Sequence, residues 1–469
     1  MSVNNKDTPS HEICRHFGAG TPVAHETISV LSHELTAQPE NGYFLNWQEL
    51  RFNATLCDHS VWIKSRDQIA NKMQMDSTDP GTDKNQTKNS SSLLFAIETY
   101  FAMILRAFLR RIGQSELEVV SVYRWPTQIG SMKTRSIIES LAESINNTVG
   151  QLVTADSFQR HKWDDLFGNL YASLIPATTR KQLGEFYTPA WLADHLLDVA
   201  GVNEAIATGQ NIRVLDPACG SGTFLLASVR RMLKSGMMPE RIVQCVAGFD
   251  FNPLAVLMSV ANLSLALAIR DGNDTRQLTK IPLFHITCHD SIRNTSPFAG
   301  MSTSEAVGQF DFVIGNPPWL AWDKLPPYYR EQTKPLWSRY DLFNLSGKDA
   351  RYGGAKKELA LLMVMTASDH FLKTGGRLAM VLPQTVFQTH KTGNGFRRFG
   401  GDNTARSLKV LRVDDFSAMR VFSDTTTKTA TLVLEKGKPT TYPVPYFCWQ
   451  TPIQCRPRLM WQPRDPAST

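Results

Sequence analysis

From about residue 181 to 438 the chain alternates short apolar runs with longer amphipathic segments, and each of the first four runs leads into a carboxylate or an amide. Runs of this kind suit strands buried on both faces, and the segments between them suit covering helices, so the pattern predicts βα units and a largely parallel sheet. The runs cover 212–215, 243–249, 283–287, 310–314, 377–382, 408–413 and 429–434. Seven such strands predict an α/β, doubly wound sheet. In that architecture ligands bind beyond the carboxyl ends of the strands. The residues that follow each run are therefore where chemistry is expected.

The flanking regions differ. Residues 1–180 show helical spacing, as in Leu93, Ile97, Tyr100, Phe101, Ile104 and Phe108, and again in Ile137, Ile138, Leu141, Ile145 and Val149. They predict a mainly helical N-terminal region, interrupted by a polar loop near 75–92. Residues 439–469, rich in Pro, Arg, Gln and Trp, read as a short tail or the stub of a further domain. A net charge of +7 with pI near 9.0 permits a polyanionic partner. The seven cysteines are scattered and odd in number, which points to reduced thiols in a cytoplasmic setting and to no metal site. The apolar stretch 93–109 carries Glu98 and Arg106, so a buried helix is expected there and not a membrane span.

After the first run stand Asp216, Pro217, Ala218, Cys219, Gly220, Ser221, Gly222, Thr223 and Phe224. The small residues allow a tight turn and close approach to a ligand before a helix begins near Thr223. With no third glycine and no Gly-Lys-Ser/Thr, the turn suits neither a dinucleotide pyrophosphate nor a triphosphate. Asp216 would attract an ammonium group, as in the amino-acid end of S-adenosylmethionine. Asp250, with Asn252 behind it, stands past the second strand, where a carboxylate accepts ribose hydroxyls. Asp290 follows the third and could accept from a purine amine. Singly, each aspartate reads first as a turn or cap residue. Their recurrence after successive strands favours a shared cleft.

After the fourth run come Asn316, Pro317, Pro318 and Trp319. The Asn316 side-chain carbonyl and the Pro317 carbonyl can accept the two hydrogens of an amine, and Trp319 can stack on a planar ring. Either this is a pocket for a planar amine, or it is a proline-rich strand exit with an incidental Trp. Between Trp319 and the next helix, Trp322, Lys324, Tyr328, Tyr329, Arg330, Lys334, Trp337, Arg339 and Tyr340 mix basic and aromatic side chains. They suit a grip on phosphates and bases, or a lid packed on the sheet. Gln384 and Phe387 follow the fifth strand and could line the same pocket. Cys219 and Cys288 read as small packing residues.

Taken together, Gly184-Glu-Phe-Tyr-Thr-Pro189, Asp216-Pro-Ala-Cys-Gly-Ser-Gly-Thr-Phe224 and Asn316-Pro-Pro-Trp319 resemble the motif set, in order, of adenine-specific amino-group DNA methyltransferases of bacterial restriction-modification and phage-defence systems. The resemblance implies a seven-stranded Rossmann-like methyltransferase sheet at 181–438 and S-adenosylmethionine as cofactor. It implies that Phe186, Tyr187, Thr188 and Pro189 cover the methionine end and that Asp216, Ala218, Gly220, Ser221, Gly222, Thr223 and Phe224 cradle the cofactor. Asp250 and Asn252 would then serve the ribose, Asp290 the adenine, and Asn316 to Trp319 the reacting base. Other planar amines, in RNA or a protein glutamine, and a non-catalytic DNA-binding subunit of the same fold are the alternatives. Such enzymes usually carry a target-recognition domain after the sheet, where a short tail follows Lys438 here, so sequence choice on DNA is expected from a specificity subunit, another defence-system protein, the N-terminal helices or a longer parent chain.

Overall fold

The computed structural model describes residues 8–37, 42–55, 68, 72, 83–114, 123, 132–154, 165–182, 185, 187–268, 283–293, 309–342, 358–387, 396–399, 407–422 and 426–450. Its centre is one sheet of strands β1 (Val214–Asp216), β2 (Val246–Asp250), β3 (His285–Cys288), β4 (Phe310–Gly315), β5 (Leu372–Pro383), β6 (Leu408–Asp415), β7 (Thr429–Lys436) and β8 (Tyr446–Cys448). They lie in the order β3-β2-β1-β4-β5-β7-β6-β8. All pairings are parallel except those of β7, which runs antiparallel to both β5 and β6.

The sheet has eight strands where seven were expected. The additional one, β8, falls in the segment read as a tail, and pairs in parallel with β6. Three exposed residues flanked by Pro443 and Pro445 give no apolar run, and Pro near an edge strand costs no ladder bond, so only pairing with β6 defines it. The second run also divides differently: helix Pro239–Cys245 takes its first residues, and β2 starts at Val246.

Alternation along the strands sends side chains to two cores. In β5, Ala379 and Val381 face one core while Leu378, Met380 and Leu382 face the other. Helices Ala190–Ala200, Thr223–Lys234 and Pro253–Ala268 cover the first face, and helices Pro327–Arg339 and Leu359–His370 the second. Every residue of Pro253–Ala268 is buried, because the N-terminal helices pack on its outer side and extend the first core.

The N-terminal helices include Asp83–Arg111 and Met132–Thr154. The first begins inside the stretch 75–92 that was expected to be a loop. Past Pro80 and Gly81 that stretch contains no further Pro or Gly, so the helix of the following apolar residues extends back through it. Residues 75–82 lie outside the described residues. By length and composition its section Ser91–Arg111 is long and apolar enough to cross a membrane, but it is mostly buried in protein. Glu98 within it is fully buried and accepts from Trp47 Nε1 at 2.7 Å and Tyr123 Oη at 2.9 Å. Two donors on one carboxylate oxygen offset the desolvation that burial imposes.

Candidate active site

β1 sits between β2 and β4, so the winding reverses at the β1–β4 seam, where the doubly wound plan opens a crevice. A cleft at that end is lined by residues following the first four strands, among them Asp216, Gly220, Asp250, Asp290, Asn316 and Pro317. Tyr187 and Thr188 join it from the segment that enters helix Ala190–Ala200. Pro189 is the N-cap position of that helix, and Phe186 lies outside the described residues.

Gly220 and Gly222 have φ of 55° and 88°, in the left-handed region that glycine enters without a Cβ penalty. A Cβ on Gly222 would also stand 3.0 Å from Ser259 Oγ, which itself donates to the Gly220 carbonyl at 2.8 Å. The turn is gripped from behind by a buried carboxylate of the N-terminal region. Asp165 accepts from Ser221 Oγ, from Thr223 Oγ1 at 3.3 Å and from Asn262 Nδ2 at 2.8 Å, and caps helix Leu166–Leu174 through Gly168 N. Burial pushes the Asp165 carboxyl up despite these donors. The Ser221 and Thr223 hydroxyls thus hold the turn in place, while both residues still line the cleft.

Asp216 is 1% exposed and accepts from Ala218 N at 3.0 Å, and among the described residues it has no cationic partner. Burial raises its pKa well above the ordinary carboxylate range, with nearby Asp250 adding to the effect. A Cβ at Gly315 would stand 2.5 Å from Asp216 Oδ1, so the exit of β4 needs glycine there. Asp250 accepts from Gly220 N and Asn252 N, each at 2.8 Å, and ties the turn to β2. Asn252 caps the next helix through Leu254 N at 3.0 Å and donates to Glu185 at 3.4 Å. Asp290 is paired with Arg293 and accepts from Tyr329 Oη at 3.3 Å, so its oxygens are already engaged.

Asn316 differs from these groups. Its Nδ2 donates to Thr188 Oγ1 at 3.3 Å, while its Oδ1 is buried with no hydrogen-bond partner among the described residues. Trp319 makes an edge contact with Phe422, ring centroids 5.5 Å apart, and packs between the two cores.

Most of the insertion after Trp319 belongs to the protein interior. Tyr329, Trp337 and Tyr340 are buried, Thr333 fully so, and Trp322 meets Trp337 edge-on at 5.3 Å. The reading as a lid packed on the sheet therefore holds for these aromatics, while Lys324 and Lys334 stay exposed. Cys219 and Cys288 are packing groups: burial raises both thiols, Cys288 to about 12. Three participants were given no place in the cofactor cleft by the sequence reading. Glu185, inside the Gly184–Pro189 motif, lines the cleft and accepts from Tyr171 Oη at 3.0 Å. Tyr329 reaches the cleft from the insertion. Asp165 gave only a capping signal, Asp three residues before Gly168.

A sheet wound in this order, with its polar cleft at the switch point, defines the doubly wound α/β class. Residues 162–448 match the family described as N-6 DNA Methylase, and the chain belongs to it. It is similar to the Type I restriction enzyme MjaIX methylase subunit of Methanocaldococcus jannaschii, 27% identical over 35% of this chain and 25% of that one. It is also similar to the adenine-specific methyltransferase PglX of Streptomyces coelicolor, 26% identical over 38% of this chain and 18% of that protein. The chain thus spans about a quarter or less of the length of these curated relatives. In fold it is similar to a nuclease-deletion mutant of the Type ISP restriction-modification enzyme LlaGI in complex with a DNA substrate mimic, with TM-score 0.55 and 14% identity over 94% of this chain and 35% of that one. A DrdV–DNA complex gives 0.54 and 14% over 91% and 43%.

Proposed function

We propose that the chain transfers methyl from S-adenosylmethionine to the exocyclic amine, N6, of an adenine rotated out of DNA, within a restriction-modification or phage-defence system. The observation that carries this reading is the Asn316 amide. Its NH2 is held by Thr188, which leaves the buried carbonyl oxygen of a cleft-lining residue without a donor among the described residues. An unpaired buried acceptor costs about 1–3 kcal/mol, and an incoming amine removes that cost. Family membership and the names of the relatives point to adenine in DNA among the possible amines.

The residues present fit the methyl donor. Asp216, buried and with no cationic partner among the described residues, suits an ammonium group; Gly220 and Gly222 allow close approach; Asp250 lines the cleft at the end of β2. Tyr187 and Thr188 would cover the methionine end, and Asp290 with Tyr329 would meet the adenine end. When bound, S-adenosylmethionine supplies an electrophilic sulfonium methyl. Asn316 Oδ1 and the Pro317 carbonyl would accept both amine hydrogens and draw the nitrogen lone pair out of the ring. Trp319 would replace the stacking lost on base rotation, which costs roughly a few kcal/mol. Transfer then rests on positioning and on preorganised acceptors, with no covalent enzyme intermediate.

Sequence choice would come from a specificity subunit, another system component or further sequence of a longer chain, and the reaction belongs in the cytoplasm with the DNA. The test is transfer of labelled methyl to adenine-containing DNA, with neighbouring gene products added. Asn316→Ala is expected to abolish transfer and to leave cofactor binding intact. No transfer to any DNA by the wild type would sink the proposal.

A further inference from the structure

The helix that follows Trp319 brings to the cleft a polar atom whose acceptor side is unused. Tyr329 of helix Pro327–Arg339 is 1% exposed, lines the cleft, and donates from Oη to Asp290 Oδ1 at 3.3 Å. Asp290 lines the cleft too, so the two side chains meet at its wall by their polar ends. A phenol hydroxyl donates once and accepts on its remaining lone pairs. Among the described residues nothing donates to Tyr329 Oη.

Asp290 is the more crowded of the two. Its Oδ1 takes Ile292 N at 3.0 Å and Arg293 N at 3.1 Å besides the tyrosine, and its Oδ2 pairs with Arg293 Nε. Three donors on one oxygen exceed its two lone pairs. The same turn grips the helix. The Arg293 guanidinium lies 5.2 Å from the centre of the Tyr329 ring, and its Nη1 donates to Gln332 Oε1, three residues further along the same face. Burial, and after it the Asp290 charge, hold the Tyr329 phenol well above its ordinary pKa, so it stays a hydroxyl. Its O–H is committed to a carboxylate, and what it can offer a ligand is a lone pair for a donor. Phe251, Ile292 and Leu320, which pack with Tyr329 in the second core, add apolar lining suited to a flat ring.

We infer that Tyr329 Oη accepts an N–H of the cofactor's purine amine, which makes Tyr329 the residue that selects an adenosyl over a deaminated cofactor and ties the seating of helix Pro327–Arg339 to cofactor occupancy. The inference rests on the reading of the cleft as an S-adenosylmethionine site. It assigns the amine to the helix after Trp319, where the motif resemblance assigned it to Asp290.

The test uses the full chain. Calorimetry compares S-adenosylhomocysteine with the analogue that carries unsubstituted purine in place of adenine, and hydrogen exchange follows the backbone amides of 327–339 with each ligand at saturation. Wild type is expected to prefer the adenine ligand about tenfold, the size of one good hydrogen bond, and to protect those amides more strongly with it. Tyr329→Phe should cut the preference to about twofold and leave affinity for the analogue near wild type. A purely structural Tyr329 would weaken both ligands alike and keep the wild-type ratio. Direct acceptance by Asp290 would keep or raise that ratio, since phenylalanine vacates Oδ1. Either result overturns the inference. Where the variant does not fold, the wild-type exchange decides, because equal protection by the two ligands would overturn it as well. Equal wild-type affinities would remove the role of Tyr329 and leave the cofactor site standing. No binding of S-adenosylmethionine or S-adenosylhomocysteine would instead remove the cofactor reading itself.

Discussion

Asn316 Nδ2 donates to Thr188 Oγ1 at 3.3 Å, joining the residue after β4 to the segment that enters helix Ala190–Ala200. The contact decides which end of the Asn316 amide faces the cleft. A Thr188→Val substitution keeps the shape and removes the acceptor, so the amide is free to turn its NH2 toward the incoming amine. Single-turnover methyl transfer is expected to fall about tenfold, equivalent to ~1.4 kcal/mol, with a smaller change in cofactor affinity. An unaltered transfer rate would show that Thr188 does not orient the amide.

Asp216 gives a prediction in which stability and function move oppositely. Its carboxyl is raised well above the ordinary range, chiefly by burial. A carboxyl whose folded pKa lies above its unfolded value favours folding while protonated, and that contribution is lost as pH climbs from the unfolded value through the folded one. Asp216→Asn keeps the shape without the charge, so it is expected to raise Tm above wild type at alkaline pH and to abolish cofactor binding. In the wild type, binding an ammonium to ionised Asp216 should release a proton below the folded pKa. Cofactor affinity should then increase with pH, and calorimetry in buffers of different ionisation enthalpy should show the release. Buffer-independent heats together with an unchanged Asp216→Asn Tm would contradict this.

The positions of these groups were largely legible in the sequence, because the end of a buried strand and the glycines behind it are local signals. Asp216, Asp250 and Asn316 each follow an apolar run, and the runs bring them to one end of one sheet. What they touch was not legible. That Asp250 is tied to Gly220 and Asp290 to Arg293 depends on loop geometry, and that Tyr329 faces inward depends on helix Pro327–Arg339, whose polar, proline-interrupted sequence shows no clear apolar face. β8 escaped because its pairing is supplied by β6 alone.

Asp165 ties the N-terminal helices to the glycine turn. Replacing it with Ala removes the cap on Gly168 N and leaves Asn262 and Ser221 without their buried acceptor. A loss of about 2–4 kcal/mol is expected from the cap and the stranded donors together, read from the urea midpoint. The Michaelis constant for S-adenosylmethionine should rise with kcat little changed, since the turn is loosened and the Asn316 side is not. A stability loss with unchanged cofactor affinity would confine Asp165 to folding.

The helix after Trp319 offers the clearest separation of packing from contact with a substrate. Trp337 is fully buried against Trp322, whereas Lys334, three residues earlier, is exposed. Trp337→Ala opens a cavity in the second core and is expected to cost about 3–5 kcal/mol, with loss of folded protein on mild heating. Lys334→Ala should leave stability within about 0.5 kcal/mol. If the outer face meets a phosphate backbone, the same substitution weakens DNA binding and lowers the salt dependence of log K by about one charge. A salt slope identical to wild type would leave the helix as a lid alone, joined to the cleft through Tyr329 and Asp290.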